Sequence, residues 1–312
     1  MHEPTSDARH SATAMGFGAI ALAATLWAVA AVVARALFDR GVEPLELAEA
    51  RSVITLAGLA LIPAARRRPR GSSVRAVILL GVSIALVNAV YYQAIDRVDV
   101  AVALVLQYTA PALVVAWVAL ASRTAPRPEV LVAVPVTFVG VVLLSGLIGS
   151  DVGSVDGLGI AFGWSAALFF ATYTVVSERA GEAYGVLGAL LRGFFVATLM
   201  WIAFQVSRGW PAELVDPDNI AGVLFVGIGG TLAPFVLYLW GVQRVRAERA
   251  AIAATLEPIA GAIIAWIFLN QALTGVQILG GVVCLAAVVA LQLRRSVAMP
   301  PEPAPVPDAP NR

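Results

Sequence analysis

Apolar stretches long enough to cross a bilayer as α-helices recur along nearly the whole chain, and this feature excludes most folds before any motif is considered. They fall at about 15–38, 45–65, 74–94, 100–121, 129–148, 157–178, 185–206, 219–241, 249–269 and 274–293. Lipid offers no partner to a bare N–H or C=O, so isolated segments of this length must be helical, and the alternating pattern of a membrane β-barrel is absent. The chain is 60% hydrophobic and 13% charged, with a mean hydropathy of +0.85. Soluble domains run at roughly 45–50% apolar and about 25% charged. Ten spans consume roughly 200 of the 312 residues, which leaves no room for a soluble catalytic domain.

The span ends carry turn and charge signals, among them Arg40-Gly41 with Pro44, the run Arg66-Arg67-Arg68-Pro69-Arg70, and Asp216-Pro217-Asp218-Asn219. The first span is long, holds Arg35 near its far end and lacks an obvious cleavage site, so it reads as a retained helix rather than a signal peptide. Residues 1–14 form a polar tail, and the proline- and alanine-rich end, 294–312, reads as a disordered extension.

Side-chain inventory narrows the chemistry. All 21 basic residues are arginines, so a lysine nucleophile or Schiff base is excluded. Both histidines, His2 and His10, lie in the N-terminal tail, and the single Cys284 can form neither an intramolecular disulfide nor a thiolate cluster. No cofactor and no metal are expected, because the spans lack the usual ligands. Gly227-Ile228-Gly229-Gly230 superficially resembles a phosphate loop, but it sits inside an apolar span without the required lysine. The Arg66–Arg70 run is a short loop better explained by topology and anionic lipid than by nucleic acid, so no nucleic-acid partner is expected.

Arginines also set the orientation. With the N-terminus inside, the inner segments hold fourteen of them before Arg312, while the outer loops hold only Arg40, Arg97 and Arg208 and collect acids such as Asp151, Asp156 and Glu213. Both termini are therefore expected in the cytoplasm, which requires an even number of crossings in the plasma (inner) membrane.

A shift of 147 residues superposes the third to fifth spans on the eighth to tenth: Tyr91 meets Tyr238, Arg97 meets Arg244, Val98 meets Val245, Ala103 meets Ala250 and Pro111 meets Pro258. With a slightly different shift, Arg51 meets Arg192. The expected fold is an all-α integral membrane protein of ten transmembrane helices in two five-helix halves, 15–148 and 149–293. Five is odd, so the second half crosses in the opposite sense, giving the inverted repeat of secondary transporters.

Leu26-Trp27, Ala48 to Val53 with Arg51, Tyr91 through Pro111, Phe170 to Tyr173, Arg192 and Leu256-Glu257-Pro258 together resemble the EamA-type transporters of the drug/metabolite transporter superfamily. The resemblance covers roughly residues 15 to 293. It implies a ten-helix bundle moving small organic solutes, often amino acids or other metabolites, usually outward. The family often carries Gly-Glu near the ends of helices 4 and 9; here these places read Ser122-Arg123 and Asn270-Gln271, so no coupling role transfers to them.

Intramembrane polar groups usually face a cavity or a partner. Glu257, immediately before Pro258, is the foremost candidate, since the proline removes a backbone hydrogen bond and can kink the helix. Two readings stand: protonation of Glu257 alternates with solute binding, or Glu257 forms a static ion pair with Arg192 or Arg51. Arg51 and Arg192 can each attract a carboxylate or phosphate, or snorkel to nearby headgroups. Asn88, Tyr91, Tyr92, Gln107 and Tyr108 around Pro111, together with Tyr238, Trp240 and Thr255, offer amides, phenols and an indole suited to a small amphipathic solute. Packing or the interfacial belt also accounts for many of these aromatics. Gly159-Ile160-Ala161-Phe162-Gly163 has small-xxx-small spacing, a weak pointer to a homodimer. The expected partners are a small-molecule solute, membrane lipid and protons. The alternatives to a transporter are a lipid-handling protein or enzyme within the bundle, and a passive channel.

Overall fold

The structure is a computed structural model describing residues 6–67, 73–110, 112–114, 128–144, 156–206, 208–209, 211–245 and 253–297. Regular structure among these residues is entirely helical: α1 (Ser6–Phe38), α2 (Pro44–Leu61), α3 (Val74–Arg97), α4 (Val100–Gln107), α5 (Pro128–Leu144), α6 (Gly157–Tyr184), α7 (Val186–Gln205), α8 (Ile220–Val242), α9 (Leu256–Leu269) and α10 (Gly275–Val297). Short 3-10 turns follow α2 and precede α8. Five of the helices, α1, α3, α6, α7 and α8, are long and apolar enough to cross a membrane, so the protein is a multi-pass membrane protein. Pro111, Ser122-Arg123 and residues 298–312 lie outside the described residues, while 294–297, expected to be disordered, continue helix α10.

Tight connections set which helices neighbour one another. Gly185 alone separates α6 from α7 and takes φ +70°, a left-handed conformation that a Cβ would strain. Asn270, the C-cap of α9, takes a left-handed conformation at φ +55°, which asparagine tolerates better than most residues. Asp156 caps α6 by accepting from the Gly159 amide at 2.9 Å.

Several helix pairings recur when the expected halves are exchanged, although among the described residues α2 packs on α3 without a matching contact between α7 and α8. α1 packs on α8 and α9, and correspondingly α6 packs on α3 and α4; α3 packs on α7, and α8 on α2. The pairs α2 with α7, α4 with α9 and α5 with α10 are self-matched. Close approaches repeat in detail. A methyl added to Gly16 would lie 2.7 Å from Val245 Cγ2 and 2.9 Å from Arg244 Cβ, and one added to Gly159 would lie 2.7 Å from Val98 Cγ1 and 2.9 Å from Arg97 Cβ. The Cys284 thiol contacts the Thr137 carbonyl at 3.2 Å, linking two residues 147 apart.

Contacts between connections also sort by side. Glu43 pairs with Arg208, Arg40 reaches the Asp218 carbonyl, Arg97 pairs with Asp156, and the Gln271 side chain accepts from the Val100 amide at 2.9 Å. At the opposite end the Tyr184 hydroxyl takes the Ser73 amide. Among the described residues, no such bond joins segments expected on different sides.

Candidate functional site

Arg51 lies two turns into α2, part-buried in apolar surroundings. Its Nε donates to Thr231 Oγ1 at 2.8 Å and its Nη1 to the Tyr92 hydroxyl at 3.1 Å, with the guanidinium 5.4 Å from the Tyr92 ring centroid. Among the described residues no carboxylate lies within ion-pair distance, and Nη2 has no acceptor. Both partners are fixed. Tyr92 is 2% exposed and packs edge-on against Phe38, and Thr231 is wholly buried in α8. A charge held this rigidly, with a donor edge to spare and no ion-paired carboxylate among the described residues, has the geometry to receive an anionic group.

Where α8 meets Arg51 it is not a regular α-helix. Ile228–Leu232 form a π-turn over the glycine run Gly227-Ile228-Gly229-Gly230. The sequence excluded a phosphate loop at this run but gave no sign of the π-turn, because spacing does not report a change from i→i+4 to i→i+5 bonding.

A second cluster forms where two broken helices meet. Tyr108–Thr109 is a turn at the end of α4, and the position 147 residues later, Thr255, is a turn at the start of α9. Pro258 therefore stands in the first turn of α9 rather than kinking a continuous helix, since its ring excludes the carbonyl four residues back, that of Ala254. The Tyr108 hydroxyl lies 2.8 Å from this Ala254 carbonyl and 2.8 Å from Glu257 Oε2. Tyr91 and Tyr238 lie within electrostatic reach of this cluster, as does Arg51 of Glu257 without an ion pair. Trp27 packs on Phe235 at 5.6 Å and on Tyr238 at 5.7 Å, so it belongs to the interior rather than to an interfacial belt. The buried Gln107 carbonyl oxygen has no hydrogen-bond partner among the described residues.

Other candidates stand apart. Arg192, almost two turns into α7, folds its side chain back toward the α6–α7 turn, donating to the Gly188 carbonyl at 3.0 Å and lying 4.7 Å over the Tyr184 ring, and among the described residues it forms no ion pair with Glu257. Trp240 is 39% exposed with the Arg244 guanidinium 3.5 Å over its ring. The buried Asn88 amide donates one hydrogen bond to its own helix, at the Ile84 carbonyl, 2.7 Å away. Gln271, in the place of the family's glutamate, caps the first turn of α4.

The EamA-like transporter family matches residues 14–146 and again 157–292. The chain belongs to the EamA-like transporter family. It is 28% identical over 207 residues to the inner membrane transporter YicL of Salmonella typhimurium, an alignment spanning 66% of this chain and 69% of that one. It is 28% identical over 220 residues to the threonine/homoserine exporter RhtA of Escherichia coli, spanning 70% and 69%. A transporter of Archaeoglobus fulgidus is 27% identical over 214 residues, spanning 67% and 74%. A crystal structure superposes with a TM-score of 0.54 at 21% identity, over 93% of this chain and 99% of that one, a likeness of fold alone. Two successive EamA-like segments and relatives that are transporters make this protein a membrane transporter, not an enzyme.

Proposed function

We propose that this EamA-family protein exports a small, amphipathic, amino-acid-like metabolite across the inner membrane by alternating access. The observation that carries the reading is Arg51, a part-buried guanidinium anchored on Thr231 and Tyr92 whose Nη2 has no acceptor and which has no ion-paired carboxylate among the described residues. It takes the carboxylate of the solute, while the Glu257 carboxyl, within electrostatic reach, offers the opposite charge for an ammonium group. Tyr91, Tyr92, Tyr108 and Tyr238 provide the aromatic and hydroxyl surface for the rest. The name of the RhtA relatives points to the same solute class and to export.

The reading includes ten crossings in two inverted halves, 15–148 and 149–293, with both termini cytoplasmic. It is supported by helix pairings that recur when the halves are exchanged, by turns at both Tyr108 and Thr255, and by inter-loop contacts that, among the described residues, stay on one expected side. Arginine asymmetry favours the orientation, and reporter fusions at the two ends test it: an external signal at either end removes it.

Proton coupling through Glu257 is part of the same proposal. Counterflow in proteoliposomes, with a panel of amino acids, sugars, nucleosides and hydrophobic cations and with or without a pH gradient, tests the whole. Saturable exchange of amino acids is expected. Exchange of none of these by folded protein would instead favour the lipid-handling reading.

A further inference from the structure

We infer that Thr231 is a positioning residue that fixes the Arg51 guanidinium and ties its occupancy to the backbone of α8, a step that rests on Arg51 being the solute-binding cation. The geometry leaves the Thr231 hydroxyl a single arrangement. Its oxygen is 2.9 Å from the Val226 carbonyl, five residues back, to which it donates its one proton. Its lone pairs are thereby turned to the Arg51 Nε–H at 2.8 Å. Thr55, one helical turn after Arg51, donates to the neighbouring Gly227 carbonyl at 3.3 Å. Two successive carbonyls entering the π-turn, those of Val226 and Gly227, thus each accept from a threonine hydroxyl, and α2 approaches the turn at two levels through Arg51 and Thr55.

This contact has little slack. A methyl added to Gly227 would lie 2.7 Å from Ile54 Cβ, one on Gly230 would lie 2.3 Å from the Ala30 Cβ, and one on Gly58 would lie 2.2 Å from Leu232 Cδ2. α8 is therefore seated directly on α1 and α2, and a displacement of the guanidinium cannot be absorbed by loose packing. A carboxylate taking the Nε–Nη2 edge of Arg51 competes with Thr231 for Nε, which releases the Thr231 oxygen and loosens the π-turn. A π-turn at an intrahelical glycine run is a place where a helix can change register at low cost. Solute binding is in this way converted into a change in α8.

Hydrogen exchange of the segment 226–235, measured on purified protein in lipid nanodiscs, tests the inference without needing the natural solute. Arg51→Gln and Thr231→Val are each expected to speed exchange there on the order of tenfold over wild type, as for loss of a hydrogen bond to a charged group, with α6 unchanged. Thr231→Ser, which keeps the hydroxyl, restores the wild-type rate and separates this role from mere packing. Arg51→Gln exchange equal to wild type, or a failure of serine to rescue, overturns the inference. Adding L-threonine should speed exchange in wild type but not in Arg51→Gln. If L-threonine does nothing while the variants behave as stated, the solute assignment fails and the Thr231 coupling stands.

Discussion

The Tyr108 hydroxyl stands 2.8 Å from Glu257 Oε2 and equally 2.8 Å from the Ala254 carbonyl, and it has one proton to give to two acceptors. Both contacts are hydrogen bonds only when Glu257 is itself protonated and donates to the phenol. With Glu257 ionised, Tyr108 turns to the carboxylate, and the carbonyl freed by Pro258 loses its partner.

Glu257→Gln keeps a donor beside Tyr108 but cannot exchange a proton. Its expected phenotype is counterflow that persists at a raised KM, because the ammonium group has lost its opposite charge, with its pH dependence flattened. A pH profile like that of wild type removes the proton role. Tyr108→Phe strips the Ala254 carbonyl of its donor and is expected to cost about 1–3 kcal/mol of stability, read as a lower thermal midpoint in detergent.

Replacing Arg51 separates charge from shape. Lysine keeps the charge but cannot hold Thr231 and Tyr92 while presenting a planar fork, so KM for an amino acid rises on the order of tenfold. Glutamine raises it further, whereas Arg192→Gln, removing a side chain that folds back toward the α6–α7 turn, leaves KM near wild type. Equal effects of Arg51 and Arg192 on KM would contradict the assignment.

Outside the spans, the Asp156 carboxyl is held below the usual carboxylate range, first by the hydrogen bond from the Gly159 amide and then by Arg97 at 3.3 Å. Because the folded value is the lower one, this stabilisation is complete above the unfolded value of about 3.9 and disappears as pH falls through the folded one. Asp156→Ala is expected to cost about 1 kcal/mol at neutral pH through the lost cap. Thermal melts of wild type and variant should differ at pH 7 and converge in strong acid; a constant gap across that range contradicts the electrostatic account.

Between α5 and α10 the backbones touch. A methyl on Gly140 would lie 2.8 Å from the Cys284 nitrogen and 2.9 Å from the Gly280 carbonyl oxygen, atoms that cannot rotate away. Gly140→Ala is expected to destabilise by about 1–3 kcal/mol. Gly18→Ala in α1, with nothing within 4 Å, should be neutral or slightly stabilising. Thermal unfolding in detergent checks both, and a neutral Gly140→Ala would mean the two helices separate readily.

The positions of α3 and α7 were readable from sequence to within a few residues, because in lipid each backbone must satisfy itself locally and apolar length alone reports that requirement, whereas α1 begins at Ser6 and α9 only at Leu256, away from the expected 15 and 249. The matching of Tyr91 with Tyr238 and of Pro111 with Pro258 was equally readable, since a repeat is a property of the string. Partner choice was not. Arg51 and Arg192 look equivalent by spacing, yet one reaches across to Thr231 and Tyr92 while the other folds back on its own turn. The π-turn under Thr231 and the carbonyl that Pro258 leaves to Tyr108 likewise exist only once α2 meets α8 and α4 meets α9. The sequence by itself determined a membrane protein of recurring apolar helices. Only the tertiary structure decided which polar groups converge, because direction across a helix interface depends on rotamer, close packing and local departures from α geometry that no residue spacing encodes.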